Sequence, residues 1–163
     1  MGAPALDVRV VDAPFDPWAS MAALAPPSVE DAASAGATAV FVGTMRDFND
    51  GSPVSGMYLE HYPGMTERQL QRIVRESCRR RGVRQALVIH RVGEIRPGET
   101  IVLVATRSGH RGEAFAACRE ILEQLKHEAP FWKKEILPDG GSRWVRSNTA
   151  ADVVPPAGED SRA

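Results

Sequence analysis

Residues 111–137 read R-G-E-A-F-A-A-C-R-E-I-L-E-Q-L-K-H-E-A-P-F-W-K-K-E-I-L. Apolar side chains recur at steps of three and four, which predicts a helix over Arg111–Glu128 with one buried stripe. The predicted stripe consists of Phe115, Cys118, Leu122, Leu125 and Ala129. Pro130 has no N–H and its ring clashes with the preceding turn, so the helix must end there. The chain must therefore redirect at Ala129–Pro130, and a strand over Lys133–Leu137 follows.

The predicted corner places Lys126 and Lys133 on either side of Pro130, Phe131 and Trp132. Because large aromatic side chains are costly to expose, we expect both aromatics to pin the segment to the body of the protein. Two ammonium groups held at a fixed corner would form a pocket for an anion, or would favour one neutral, nucleophilic amine. The alternative is two ordinary surface lysines, but the fixed corner favours a site.

The rest of the chain alternates short strands and helices. Predicted strands cover residues 8–11, 37–45, 54–62, 85–92, 99–106 and 143–145, and predicted helices begin at Ser28 and cover Gly64–Arg81. The Asn49-Asp50-Gly51 turn is expected to pair strand 37–45 with strand 54–62. A turn at Arg96-Pro97-Gly98 joins the strands on either side of it. Because hairpins outnumber crossovers, the pattern predicts an α+β fold with mainly antiparallel strands.

Composition limits the possible functions. The 163 residues fit one domain, expected over 1–146, and the non-periodic Ala/Pro/Asp-rich sequence 147–163 is expected to be a mobile tail. With 20 basic and 21 acidic residues, no global field would steer the chain onto nucleic acid. Cys78 and Cys118 are isolated, which argues against a metal site. A secretory signal and a long apolar run are both missing, so we expect a cytoplasmic protein with no membrane contact.

A second candidate site lies at the start of the helix, in Ser108-Gly109-His110-Arg111. Helix N-termini expose unpaired N–H groups that suit phosphate, and His110 and Arg111 add directed donors. The alternative is that His110 caps the helix and Arg111 forms an exposed ion pair. The two ends of the helix lie about 22 Å apart at a rise of 1.5 Å per residue. One chain therefore cannot bring both ends to a single small ligand.

Other polar residues have weaker signals. Arg46 follows strand 37–45 and is equally compatible with a pocket and with a solvated position. His90 is interpreted as hydrogen-bonded scaffold, and Glu60 and His61 point to opposite faces of a strand. The arginines of helix 68–81 are interpreted as a solvated face, with RNA binding as the alternative.

Several segments, in order along the chain, resemble the large, catalytic subunit of molybdopterin synthase, the MoaE family. They are G-T-M-R-D-F-N (43–49), L-E-H-Y-P-G-M (59–65), I-H-R-V-G-E-I-R-P-G-E (89–99), S-G-H-R (108–111), L-K-H-E-A-P-F-W-K-K-E (125–135) and R-W-V (143–145). Each segment alone is a weak signal, but the set is specific.

The resemblance implies an α/β hammerhead fold with an additional antiparallel sheet. It implies transfer of sulfur from a small ubiquitin-like partner subunit, whose C-terminal Gly-Gly carries a thiocarboxylate, to cyclic pyranopterin monophosphate. The product is the dithiolene of molybdopterin, within molybdenum cofactor biosynthesis. It further implies a homodimer within a heterotetramer, and no metal or organic cofactor.

The resemblance also implies roles for individual residues. Lys126 matches the lysine nearest the incoming thiocarboxylate, and Lys133 matches its catalytic partner. The residues implied in substrate binding, besides these two, are Thr44, Met45, Arg46, His110, Arg111, Lys134 and Glu135. A dimer would let the two helix ends act on one ligand from different subunits. The rival hypothesis is a non-catalytic phosphate- or RNA-binding module, in which Arg68, Arg72 and Arg79 matter and the two lysines do not.

Overall fold

The computed structural model describes residues 3–26 and 28–145. The helices in these ranges are α1 (Pro17–Ala23), α2 (Val29–Ser34), α3 (Met65–Arg81) and α4 (Arg111–Glu128). The strands are β1 (Ala5–Val11), β2 (Ala37–Thr44), β3 (Phe48–Asn49), β4 (Ser52–Pro53), β5 (Gly56–His61), β6 (Gln85–Arg91), β7 (Gly93–Ile95), β8 (Thr100–Ser108), β9 (Phe131–Ile136) and β10 (Ser142–Trp144). Of the helices in the described ranges, none has the length and apolar character to cross a membrane. The predicted tail at 147–163 lies outside the described residues.

Two four-stranded sheets form the fold, and the one with the longer strands, called the larger sheet, has the strand order β1-β6-β8-β2. β1 pairs with β6 in parallel, and the other pairs are antiparallel. The two central strands are nearly continuous apolar runs because both faces of the sheet are covered. Helices α3 and α4 cover one face, where Val88 and Val104 meet Leu70, Ile73 and Ile121 in the main core.

The other face of the larger sheet carries a second apolar cluster. Leu87, Ile89 and Leu103 pack there against Phe15 and Met21, the latter on α1. Helix α1 was not predicted from the sequence, although its start has a recognisable signal. Asp16 accepts hydrogen bonds from the first backbone N–H groups of the helix, and Pro17 occupies the first helical position.

The smaller sheet is wholly antiparallel, with the strand order β10-β9-β5-β7. β9 is the strand that follows the Pro130 corner, and it pairs along its whole length with β5. A third cluster, Met45, Val54, Met57, Leu59 and Ile95, lies against this sheet. The predicted α+β class is confirmed, and the additional antiparallel sheet implied by the resemblance is present.

The predicted pairing of strand 37–45 with strand 54–62 is wrong. β2 pairs with β8 in the larger sheet, whereas β5 pairs with β7 and β9 in the smaller one. The Asn49-Asp50-Gly51 turn does form, but it closes only β3 and β4, a short hairpin over residues 48–53. After this hairpin the backbone N–H of Ser55 donates to the Ile136 carbonyl, so the chain joins β9 instead of returning to β2.

The predicted faces of the two long helices are partly right. Leu70, Ile73, Val74 and Ser77 of α3 are buried as expected. On α4, however, Phe115 is 66% exposed, so its predicted place in the stripe is wrong. The buried stripe of α4 is Ala114, Ala117, Cys118, Ile121 and Leu125. It shares Cys118 and Leu125 with the predicted stripe but begins one residue earlier, at Ala114.

Several arginines of α3 bind the neighbouring helix. Arg80 and Arg81 both donate to Glu120 of α4, at 2.6 Å in each case. Burial alone would raise the pKa of Glu120, but these hydrogen bonds and that from Ser77 lower it overall. Part of the arginine face is therefore an intramolecular contact between α3 and α4.

Candidate functional site

A cavity of about 340 Å³ opens where the larger sheet, the smaller sheet and the end of α4 meet. One wall is apolar and includes Phe41, Leu125 and Phe131. The polar lining includes Thr44, Arg46, Asn49, Asp50, His90, Lys126, Lys133 and Glu135. Three of these side chains are basic and two are acidic, so the cavity has a local excess of positive charge suited to an anion.

The corner after α4 brings the two predicted lysines to this cavity. α4 ends at Glu128, Ala129 has an extended ψ of 134°, and β9 begins at Phe131. Lys126 lies in the last turn of α4, where the partial negative charge of the helix end suits an ammonium group. Lys133 lies on β9. Both side chains line the cavity, as the sequence predicted for a two-sided pocket.

The two aromatics of the corner behave differently. Phe131 stacks on His90, with 3.9 Å between ring centroids and 15° between ring planes, so it pins the start of β9 to the larger sheet. Trp132 is 49% exposed, and its predicted anchoring role is wrong. The reason is strand alternation, because Phe131 and Lys133 face the cavity while Trp132 lies on the opposite face.

Glu135 is a buried carboxylate at the base of the cavity, with only 1% of its surface exposed. Arg143 Nε of β10 donates to its Oε2 at 2.8 Å. Asn49 Nδ2 donates to its Oε1 at 2.5 Å, and Lys133 Nζ lies 3.4 Å from the same oxygen. Glu135 was expected to bind substrate. Both of its oxygens are engaged within the protein, which points to a role in holding Lys133.

The environment of Glu135 keeps it ionised. Burial alone would raise the pKa of this carboxyl group, but hydrogen bonds from Arg143 and Asn49 and the nearby charge of Lys133 lower it overall. The carboxylate thus provides a permanent counter-charge for Lys133, whose side chain is 32% exposed. An ammonium held by a buried carboxylate is suited to stabilising negative charge in place.

The end of β2 supplies the other side of the cavity. Thr44 and Met45 line it, and Met45 is also buried in the third apolar cluster. The guanidinium carbon of Arg46 lies 4.8 Å from the centroid of the Phe48 ring. This cation–π contact holds Arg46 at the rim while leaving its N–H donors for an anion.

Three predicted site residues do not line the cavity. His110 is the N-cap residue of α4, and its side chain makes no capping hydrogen bond. Arg111 begins the same helix, and both side chains are exposed at the end remote from Lys126. Lys134 lies on the face of β9 opposite to Lys133, with its Nζ 5.2 Å from the centroid of the Trp144 ring. Within one chain, His110, Arg111 and Lys134 are thus separated from the lysine pair.

His90 is a cavity residue that the sequence analysis assigned to the scaffold. Its Nδ1 lies 2.8 Å from the Arg91 carbonyl, so in the neutral ring Nδ1 carries the proton and Nε2 is an acceptor. Burial lowers the pKa of His90 to about 4, with a further contribution from His61, against an opposing hydrogen bond to the Arg91 carbonyl. The histidine is therefore neutral near pH 7. Its contact with Phe131 becomes visible only once β6 and β9 are packed together.

The neutral state of His90 predicts a pH-dependent stability. The unfolded chain binds this proton below about 6.5 and the folded chain only below about 4, so acidification favours unfolding in that window. We expect the free energy of unfolding to fall by up to about 3 kcal/mol between these limits through His90. Urea titrations of wild type and His90→Gln from pH 7 to 4 measure it, and the variant should lose this part of the slope. His127→Gln, an exposed control, should keep it; an unchanged slope in His90→Gln would contradict the assignment.

In the described ranges, no group of three or more His, Cys, Asp or Glu residues is placed to hold a metal ion. The residues that line the cavity instead suit an anionic group near Lys126, Lys133 and Arg46 with an apolar ring system against Phe41 and Phe131.

The chain is similar to known proteins of one family. The model of the MoaE protein family matches residues 10–128. A molybdopterin synthase catalytic subunit from Ralstonia nicotianae is 56% identical over 140 residues, which cover 85% of this chain and 76% of that protein. Another from Pseudomonas aeruginosa is 47% identical over 138 residues, 85% of this chain and 89% of that protein.

Solved structures show the same likeness. The molybdopterin biosynthesis MoaE protein from Burkholderia ambifaria superposes with a TM-score of 0.68 at 45% identity, covering 91% of this chain and 93% of that one. With a family match over most of its length and relatives this similar, the chain belongs to the MoaE protein family.

Proposed function

We propose that this chain is the catalytic subunit of a molybdopterin synthase. It takes sulfur from the C-terminal thiocarboxylate of a small ubiquitin-like partner subunit and transfers it to cyclic pyranopterin monophosphate, which forms the molybdopterin dithiolene. The activity is assigned from the relatives named above, which are molybdopterin synthase catalytic subunits. The observation on this chain that supports the assignment is the convergence of Lys126 and Lys133 on one cavity from opposite sides of the Pro130 corner.

In this proposal the two lysines act on the sulfur donor. The thiocarboxylate is an anion, and the ammonium groups of Lys126 and Lys133 bind it and stabilise the charge that develops as its sulfur attacks the pterin precursor. Preorganised charges in a partly enclosed cavity cost no reorganisation at the moment of reaction. Glu135 holds Lys133 in place, and the apolar wall limits water near the reacting groups.

The pterin substrate carries the second anionic group. Arg46 at the rim is placed to bind its phosphate through the guanidinium N–H donors. We propose that His110 and Arg111 of a second subunit complete the site, in a homodimer that forms a heterotetramer with two partner subunits. The separation of about 22 Å between the ends of α4 supports this arrangement, because a single chain cannot close it.

We further infer that residues 1–146 form a single domain and that the protein works in the cytoplasm. Cys78 and Cys118 are both free and buried. Burial raises the pKa of Cys78 to about 12 and that of Cys118 to about 11, so both remain protonated, unreactive thiols. Unpaired cysteines support a reducing compartment.

Reconstitution tests the proposed function. The purified chain, mixed with thiocarboxylated partner and cyclic pyranopterin monophosphate, should yield molybdopterin, measured by oxidation to its fluorescent derivative. The same partner with an ordinary C-terminal carboxylate should yield none, because it carries no sulfur. Equal product from both partners, or none from either, would show that the chain does not carry out this transfer.

The rival RNA-binding module is less well supported by the contacts of α3. Arg80 and Arg81 bind Glu120, and Arg72 lies 3.4 Å from Glu128 of α4. Side chains engaged in this way are less available to phosphate groups of RNA. Part of the arginine face is therefore used in the packing of α3 against α4.

A further inference from the structure

We propose that Asn49 is a positioning residue of the sulfur-transfer site, which fixes Lys133 by orienting the carboxylate of Glu135. Asn49 lies outside the predicted set of site residues. The expected changes in kcat rest on the proposed function, whereas the expected change in labelling of Lys133 does not.

The first step is the sharing of one oxygen atom. Asn49 Nδ2 donates to Glu135 Oε1 at 2.5 Å, and Lys133 Nζ lies 3.4 Å from that same oxygen. A carboxylate oxygen has two acceptor directions. The amide of Asn49 occupies one direction on Oε1, which leaves the other for Lys133.

The second step is the fixed rotation of the carboxylate. Arg143 Nε donates to Oε2 at 2.8 Å, so both oxygens of Glu135 accept hydrogen bonds from groups outside its own strand. Without Asn49, only Arg143 and the mobile ammonium of Lys133 would orient the group. The carboxylate could then rotate about its terminal bond, which is torsionally soft, and the place of the Lys133 ammonium would shift with it.

The third step is the rigidity of Asn49 itself. It lies in the 48–53 hairpin, where Asp50 and Gly51 have positive φ angles of 49° and 76°. Two successive residues of this kind make the tight two-residue turn that Asp-Gly favours. The backbone N–H of Val54 also donates to the Asp47 carbonyl at 2.8 Å and closes the base of the hairpin. The turn that fails to pair β2 with β5 thus holds the Asn49 amide over Glu135.

Loss of the Asn49 hydrogen bond to Glu135 should change kcat more than KM. We expect Asn49→Ala to lower kcat by up to roughly 100-fold, since a displacement of about 1 Å in a reacting group has an effect of that size. The KM for cyclic pyranopterin monophosphate should change little, because Asn49 acts through Glu135. Ser52→Ala, in the partner strand of the same hairpin, is the matched control and should keep wild-type kcat.

A double-mutant cycle with Lys133→Ala separates positioning from a general structural effect. If Asn49 acts through Lys133, adding Asn49→Ala to Lys133→Ala should lower kcat no further. Multiplying effects of the two substitutions, or wild-type kcat in Asn49→Ala, would overturn the proposal. Asn49→Leu, similar in size but without a donor, repeats the test if the alanine variant unfolds. Unfolding of both variants beside a folded Ser52→Ala would assign Asn49 to folding and overturn positioning.

A chemical measurement tests the inference independently of activity. Reductive methylation of folded protein with formaldehyde, followed by peptide mass spectrometry, gives the labelling rate of each lysine. In Asn49→Ala the rate at Lys133 should rise several-fold, while the rate at Lys134, on the opposite face of β9, should stay constant. An unchanged rate at Lys133 would overturn the proposal even if the chain proved not to transfer sulfur. Absence of product from wild type and Ser52→Ala would instead contradict the proposed function.

Discussion

Replacement of Lys126 by alanine is expected to lower sulfur transfer by roughly 10²–10³-fold, the effect of removing one preorganised donor from a developing negative charge. Lys126 lies in the last turn of α4 and lines the cavity that Lys133 enters from β9. The lysine side chain is exposed rather than packed, so its loss should leave the fold intact. Single-turnover formation of molybdopterin with saturating thiocarboxylated partner measures the effect, and the thermal unfolding midpoint checks the fold.

Two matched variants serve as controls for Lys126→Ala. His127→Ala removes the neighbouring exposed side chain of α4, which does not line the cavity, and should keep wild-type activity. Arg72→Ala alters the arginine face on which the rival RNA-binding hypothesis depends, and should also keep it. Undiminished transfer in Lys126→Ala would refute the assignment of this lysine, and a loss of transfer confined to Arg72→Ala would place the functional surface on α3.

Lys126→Arg distinguishes the two chemical roles of the lysine. A guanidinium keeps the positive charge but stays protonated, so it cannot attack the tail's thioester carbonyl, form an amide and release the sulfur on the pterin as a thiolate. If Lys126 acts through its charge, the arginine variant should retain part of the activity that the alanine variant loses. Equal loss in both variants would favour a covalent role, which trapping of a Lys126–partner amide could then establish by mass spectrometry.

Local sequence signals predicted the α4–β9 corner correctly, since Pro130 alone forces the helix to end. Strand pairing was not local in the same way. The Asp50-Gly51 turn predicted a hairpin, but a turn sequence specifies only the closure of the residues next to it and not the partners of longer strands. Strands β2 and β5 found partners about 50 to 80 residues away, in β8 and β9. Those partners are selected by the burial of whole sheet faces, which no short segment encodes.

The candidate site was likewise only partly predictable from local sequence. Lys126, Lys133 and Arg46 were predicted, and the cavity contains all three. Alternation along β9 would have separated Lys133 from Lys134, since successive residues of a strand face opposite sides. By contrast, the roles of Asn49 and His90 depend on contacts between segments 86 and 41 residues apart. Such contacts appear only once the hairpin and the two sheets are packed together.

Glu135→Gln is expected to have the largest effect on stability among the site variants, about 1–3 kcal/mol at pH 7. The carboxylate is 1% exposed, and a neutral amide would leave Arg143 and Lys133 without their counter-charge. Because those two side chains are 45% and 32% exposed, they can turn to water, which limits the loss. Urea unfolding measures it. Glu94→Gln, in an exposed pair with Arg96, is the control and should change stability by less than about 0.5 kcal/mol.

The pH dependence identifies the charge as the cause. The pKa of Glu135 in the folded chain lies below its ordinary value of 4.5, so the folded state favours the ionised form. Its contribution is therefore fully present above about pH 4.5 and is lost as the pH falls through the lower folded value. The gap in unfolding free energy between wild type and Glu135→Gln should stay constant from pH 7 to about 5 and then narrow. A gap that persists unchanged in acid would mean that glutamine disturbs packing, and that the counter-charge on Lys133 is not what stabilises this corner.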